Sequence, residues 1–288
     1  MNYVYHVMIL CGIYIILVTS LNLIMGYGGM FNVGQVAFYG IGAYAGALLS
    51  VHAHLPFLLE LVLSALITTS FVIVIAMPAI RLKGDYLAFS TYALGVVAYT
   101  VFNNWLSVTR GPMGIPGVRR PSIFSISFAT LPMYLLLVAV IVAITLFVFY
   151  RITNSPYGKS IEAIREDEIA AAAAGKNTSL IKVTVFCVGA FFTGIAGNLY
   201  VHYIGIADPT GFTTTESFLL MAMVILGGSA SIKGSIAGAV TLVIIPELLR
   251  FVGIPSFYAQ QLRSIIYGVV LVVIIIVRPQ GIFGKLRF

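Results

Sequence analysis

Charge is what this sequence has least of. Asp, Glu, Lys and Arg make up 9% of its 288 residues, against 60% apolar residues and a mean hydropathy of +1.05. A soluble domain carries charge on roughly a quarter of its residues or more, so a water-exposed globule is excluded. The acidic residues are also unevenly placed, with Glu162, Glu166, Asp167 and Glu168 crowded into one stretch. Long runs are therefore almost free of charge, as lipid requires. No Lys or Arg precedes the first apolar run, Met1 to Met25, which is also too long for the core of a signal peptide; it reads as a retained membrane helix. The net charge of +7 comes without a basic stripe interleaved with aromatics, which argues against nucleic acid as a partner. Both cysteines, Cys11 and Cys187, lie in apolar segments and read as small core hydrophobes rather than a disulfide or metal pair.

Chemistry-bearing constellations are missing too. His52 and His54 stand alone in a short loop, Asp85 stands beside Lys83, and no set of His, carboxylate and nucleophile can be assembled from the spacing. Gly158-Lys159-Ser160 resembles the end of a phosphate-binding loop, but Thr153 occupies the place of the required glycine and no buried strand precedes it. Neither an enzyme nor a cofactor is expected, and any ATP hydrolysis would belong to another chain. A mid-membrane carboxylate costs about 2.5–3.5 kcal/mol and is kept for function. Glu60 and Glu247 fall near span ends, Glu247 lies three residues before Arg250, and His202 falls near an outer end. Ion coupling is therefore disfavoured.

What is present is a series of apolar runs. A helix crosses the bilayer with roughly 20 apolar residues, and runs of that length lie near 4–25, 57–80, 87–106, 131–150, 183–204 and 262–278. Shorter or glycine-broken runs lie near 36–52, 217–230 and 234–252. The expected fold is all-α, a polytopic transmembrane helical bundle of about nine spans in a single domain over 1–288. Placing segment 151–182 and the C-terminal tail in the cytoplasm puts eleven basic residues inside: Arg81, Lys83, Arg151, Lys159, Arg165, Lys176, Lys182, Lys233, Arg278, Lys285 and Arg287. Five fall outside: Arg110, Arg119, Arg120, Arg250 and Arg263. That bias sets the expected orientation, with a cytoplasmic C-terminus.

Two stretches interrupt the helical pattern. Gly26 to Gln35 contains Gly28, Gly29, Asn32 and Gln35 and is followed by Gly42-x-x-x-Gly46; Gly227-Gly228-Ser229-Ala230-Ser231 is followed by Gly234-x-x-x-Gly238. Glycine-broken helices in corresponding halves of a chain point to a transport pathway, whereas small-residue faces taken alone mean close helix packing. Gly28, Gly29, Asn32, Gln35, Gly227 and Gly228 are the candidate pathway residues. Asn22, Asn32, Gln35, Asn103, Asn104 and Asn198 read as solute contacts or as cross-helix hydrogen-bonding groups, the second being the more frequent role of such residues.

The longest polar connection, 151–182, has helical character. Ser160 is placed to cap a helix whose early turns carry Glu162, Glu166, Asp167 and Glu168, Ala170 to Ala174 follow with top helix propensity, and Gly175 stops it. Ile161, Ala163 and Ile164 add a small apolar patch. Such a segment reads either as a docking surface or as a solvated loop. Asp85 likewise reads as a turn ion-paired with Arg81 and Lys83 or as a second docking contact. Asp208-Pro209 reads as a plain outer turn or as a contact with a binding protein.

The motifs across nearly the whole chain resemble, in order, the permeases of branched-chain amino acid ABC importers, of the LivM-like subunit type. The matching pieces are Leu23 to Gly46, Arg81 to Ala88, Asn103-Asn104-Trp105, Arg110 to Ile115, Ser155 to Gly175, Gly194 to Gly197, Tyr200 to Tyr203, Leu226 to Ser231, Pro246 to Leu249 and Arg278 to Gly284. The resemblance implies a multi-pass permease of the bacterial inner (cytoplasmic) membrane. Its implied partners are a LivH-like homologous permease, two cytoplasmic ATP-binding subunits, a periplasmic or surface substrate-binding protein, and membrane lipid. It also implies that 151–182 is the cytoplasmic coupling segment, with Gly158, Glu162, Ala163, Arg165, Glu166, Asp167, Glu168 and Gly175 docking the ATPase. In one respect the chain departs from the general ABC-permease pattern of a glutamate and two alanines before a glycine: Ile169 stands where the glutamate would fall. Urea or short-amide importers of the same family, and an ion-coupled secondary transporter, are the alternatives.

Overall fold

The fold was obtained as a computed structural model, which describes residues 2–80, 82, 84–123, 126–250, 268, 269, 272, 276 and 280–284. Almost all of the expected 262–278 run lies outside the described residues, as do Arg81, Lys83, Arg263, Arg278, Lys285 and Arg287.

The described chain is a helical bundle. In order come α1 (Asn2–Asn22), continued by a π-turn at Leu23–Tyr27, and α2 (Gln35–Leu48), continued by a π-turn at Leu49–Ala53. There follow α3 (Phe57–Ile80), α4 (Asp85–Asn104), the one-turn α5 (Leu106–Thr109) and α6 (Leu131–Thr153). The short α7 (Pro156–Glu166) and α8 (Glu168–Ala173) precede α9 (Thr178–Ile204), α10 (Thr214–Gly227) and α11 (Ile232–Arg250). Among the described residues, five helical stretches are long and apolar enough to cross a membrane: Asn2–Tyr27, Gln35–Ala53, Phe57–Val74, Leu131–Thr153 and Thr178–Ile204. They cover five of the expected runs, including the short one near 36–52. The run at 87–106 corresponds to α4, which is outside these five, and α10 has 14 residues, about 21 Å of helix against a hydrocarbon core of about 30 Å. The runs at 217–230 and 234–252 correspond to α10 and α11.

Packing follows residue size. α2 and α9 lie in close contact because small residues meet: a Cβ on Gly42 would come within 2.5 Å of the Gly194 Cα, and one on Gly197 within 2.7 Å of the Ala43 nitrogen. Gly234 and Gly238 instead press on Gly227 and Met223 of α10. Both small-residue faces are thus packing surfaces, one against a distant helix and the other within a hairpin, so the two halves are not equivalent in their contacts. The core lies where α1, α2, α9 and α10 converge, with Ile16, Leu21, Phe38, Phe186 and Met223 fully enclosed. α6 turns Met133, Leu136, Val140, Ile144 and Phe147 outward at helical spacing, an apolar stripe suited to lipid. At the end of the bundle opposite segment 151–182, β1 (Ile115–Pro116) pairs antiparallel with β4 (Ile206–Ala207), and β2 (Ser122–Ile123) with β3 (Ile126–Ser127).

Candidate functional site

The polar segment forms two helices rather than one. Ser155, not Ser160, is the N-cap: its hydroxyl accepts from the Gly158 amide at 3.2 Å, and Pro156 opens α7. Ser160 lies within α7, where its hydroxyl donates to the Pro156 carbonyl. Asp167 leaves helical geometry at φ −153°, ending α7, and its carboxylate caps α8 by accepting from the Ile169 and Ala170 amides at 2.8 and 3.0 Å. Gly175, at φ +80°, follows. Gly158, Ile161, Ile164 and Ala171 face the bundle, while Ala163, Glu166, Asp167, Ile169 and Gly175 are exposed, Ile169 by 75%. Glu168 pairs with Lys182 at 2.6 Å and ties α8 to α9. Glu162 is half-buried.

The polar side chains of the first break bond to protein. Asn32 and Gln35 are 1% and 0% exposed. Asn32 donates to the Gln35 carbonyl oxygen at 2.8 Å and accepts from the Gly34 amide at 3.0 Å. Gln35 donates to Thr193 on α9 at 2.5 Å, and the Val33 and Val36 amides donate to Thr91 on α4 and Ser217 on α10. Thr193 sits roughly 22 Å along α9, so this polar network lies deep in the bundle, where irregular backbone is tolerated only if protein or water satisfies it.

The two breaks meet. The Asn22 carboxamide, 1% exposed, accepts from the Ala230 amide at 3.1 Å and donates to the Ser231 carbonyl at 3.1 Å and the Ser235 hydroxyl at 2.7 Å. A Cβ on Gly26 would come within 2.6 Å of the Ala230 nitrogen. Gly228, at φ +110°, turns the chain between α10 and α11 against Gly284, while the Ile282 and Phe283 amides donate to the Leu226 and Gly227 carbonyls at 2.9 Å each. The coupling segment touches the same place, because Arg165 donates to the Gly26 carbonyl at 3.0 Å and its stem lies on Gly29. At φ +66° and with Arg165 Cγ where a Cβ would go, position 29 takes glycine. Gly28, Gly29, Gly84, Arg165 and Lys182 are among the residues lining a cavity of about 360 Å³ here. Sequence spacing placed the pathway and coupling residues apart; the fold brings Gly28, Gly29 and Arg165 together and leaves Asn32 and Gln35 sealed within the bundle.

One pairing had no local signal. Glu60 at the start of α3 and His202 at the end of α9, 4% and 2% exposed, stand 3.0 Å apart, and the other ring nitrogen of His202 lies 2.6 Å from the Arg119 carbonyl. Glu247 accepts from Tyr3. Asn104 bonds its own helix at the Thr100 carbonyl, and Asn198 is fully buried with its carboxamide unpaired among the described residues.

Comparison with known proteins gives the chain a family. The family model described as branched-chain amino acid transport system / permease component matches residues 3–275. The high-affinity branched-chain amino acid transport system permease protein LivM of Salmonella typhimurium (strain LT2) is 34% identical over 96% of this chain and 68% of its own length. A probable branched-chain amino acid transport permease protein LivM of Methanocaldococcus jannaschii is 25% identical over 95% and 91%. The permease protein LivH of Escherichia coli K12 is 25% identical over 67% and 63%. No solved structure matches. With the family model spanning nearly the whole chain and this identity to LivM, the chain belongs to the family of permease components of branched-chain amino acid transport systems.

Proposed function

We propose that this chain is the LivM-like permease subunit of an ATP-driven importer of branched-chain amino acids, forming half of the translocation pathway and docking a separate ATPase through α7 and α8. It works with a homologous LivH-like permease, two ATP-binding subunits and an external substrate-binding protein, in a cell membrane with segment 151–182 and residues 280–284 on the cytoplasmic side. Hydrolysis belongs to the ATP-binding subunits. The observation that carries the docking assignment is the two-faced helix pair: Gly158, Ile161, Ile164 and Ala171 are seated on the bundle, while Ala163, Glu166, Ile169 and Ala170 stand bare. Ile169 with the exposed Ala163 and Ala170 forms a small apolar surface that an apolar socket on the partner would cover. Asp167 and Glu168 hold the ridge in shape, one as a cap and one through Lys182.

The two breaks, with Gly28, Gly29, Gly227 and Gly228, are the moving parts on this reading; Gln35, braced by Asn32, fastens α2 to α9 rather than touching solute, and the Val33 and Val36 amides tie the same break to α4 and α10. The experiment is affinity purification of the intact complex from membranes. An Ala163→Asp/Ile169→Asp double variant should recover at least ten-fold less ATPase at an unchanged amount of inserted permease. Unchanged ATPase recovery would remove the docking assignment.

A further inference from the structure

The docking helix and both helix breaks are joined through one side chain. Arg165 sits on α7, yet its side chain is 16% exposed and points into the bundle. Its Nη1 donates to the Gly26 carbonyl in the π-turn that ends α1, at 3.0 Å, and its stem fills the space over Gly29. From Gly26 the contacts continue without a gap. The Gly26 Cα lies against both the Asn22 carboxamide and the Ala230 amide, and Asn22 spans from α1 to Ala230, Ser231 and Ser235 across the α10–α11 turn. On the outer side, the same guanidinium donates to Glu166 Oε1 at 2.6 Å, and the Glu166 side chain is 69% exposed.

We propose that Arg165 is a positioning residue that makes both helix breaks follow the docking helix, through Gly26 and Asn22, with Glu166 as its solvent-facing handle. The inference rests on the reading of α7 and α8 as the ATPase-docking pair. Three features carry it. The guanidinium faces inward, so it is unavailable as a docking contact. Its acceptor is a backbone carbonyl of an irregular turn, so a shift of α7 displaces main chain rather than a mobile side chain. Close-packed backbone and a fully hydrogen-bonded amide leave no slack between Gly26 and Ala230, and packed contacts of this kind transmit displacement rather than absorb it.

The test uses the complete importer, with its partner permease, ATPases and binding protein, in proteoliposomes with leucine as the probe. Arg165→Met keeps the stem and deletes the donor. It should recruit ATPase as the unaltered complex does, while leucine moved per ATP hydrolysed falls at least ten-fold. Arg165→Lys restores a donor and should regain most of that ratio, a rescue that a purely space-filling role would not show. Asn22→Ala, at the far end of the path, should uncouple in the same way, and decides the matter if Arg165→Met fails to accumulate. An unchanged ratio in Arg165→Met, or in Asn22→Ala where that variant must decide, would overturn the proposal. So would loss of ATPase recruitment in Arg165→Met, which would make Arg165 a docking contact. If the unaltered chain itself recruits no ATPase, the docking reading fails and this inference falls with it.

Discussion

Glu60 and His202 show how much one buried pair can carry in a chain with so little charge. Each is almost wholly enclosed, and each answers the other across the junction of α3 and α9. The His202 ring is also fixed by the Arg119 carbonyl on its second nitrogen and by the edge-on Phe57 ring at 5.2 Å. Removing one member of a buried polar pair leaves the other without its partner, which costs about 1–3 kcal/mol, whereas replacing both with apolar groups is often close to neutral. His202→Leu should therefore lower the thermal unfolding midpoint of the purified protein markedly, and Glu60→Leu/His202→Leu should recover most of the loss. A double variant no more stable than the single one would show that the pair is not a unit. Arg165 and Asn22 belong at this scale as well, since each joins separate elements through one polar side chain.

Among the elements, α7 and α8 depend on a single residue for their angle. Asp167 ends one helix and caps the next, so its charge and its shape are separable. Asp167→Asn keeps an acceptor for the Ile169 and Ala170 amides and should leave ATPase recovery within about two-fold, whereas Asp167→Ala loses the cap, costs about 0.5–2 kcal/mol locally, and should reduce recovery several-fold. Equal recovery by both variants would separate docking from the bend. This segment also shows what was legible in the sequence. The polar, Ala-rich composition marked a helical connection, and the uncharged runs marked the long apolar helices. The bend at Asp167 was hidden because an acidic residue in a first turn and an acidic N-cap look alike in sequence. Ser155-Pro156 was the better cap signal, since proline is favoured at the first helical position, yet Ser160 satisfied the same composition rule. Asn32 and Gln35 were recognised as polar groups that lipid cannot satisfy. Thr193, which Gln35 bonds, and Thr91 and Ser217, which the Val33 and Val36 amides bond, are common residues on distant helices, and no spacing rule links them to the break. Glu60 and His202 were hidden for the same reason.

For the molecule as a whole, the fold groups α7, both helix breaks and residues 280–284 at one end, and the β1–β4 pairing with Arg119 and Arg120 at the other. The basic residues described at the first end include Lys159, Lys176, Lys182 and Lys233, in keeping with a cytoplasmic face. Single cysteines placed at exposed Lys176 and exposed Gly117 should react with a membrane-impermeant thiol reagent from opposite sides, Lys176→Cys only after the inner face is opened. Labelling of Lys176→Cys in intact cells, with Gly117→Cys labelled only after the inner face is opened, would reverse the orientation. The tail contact carries a consequence for biogenesis. The Leu226 and Gly227 carbonyls find their partners in Ile282 and Phe283, residues that the ribosome makes more than fifty positions later. The α10–α11 turn therefore waits, incomplete, until the chain has been synthesised through residue 283, so closure of this junction reports that translation has run past that point.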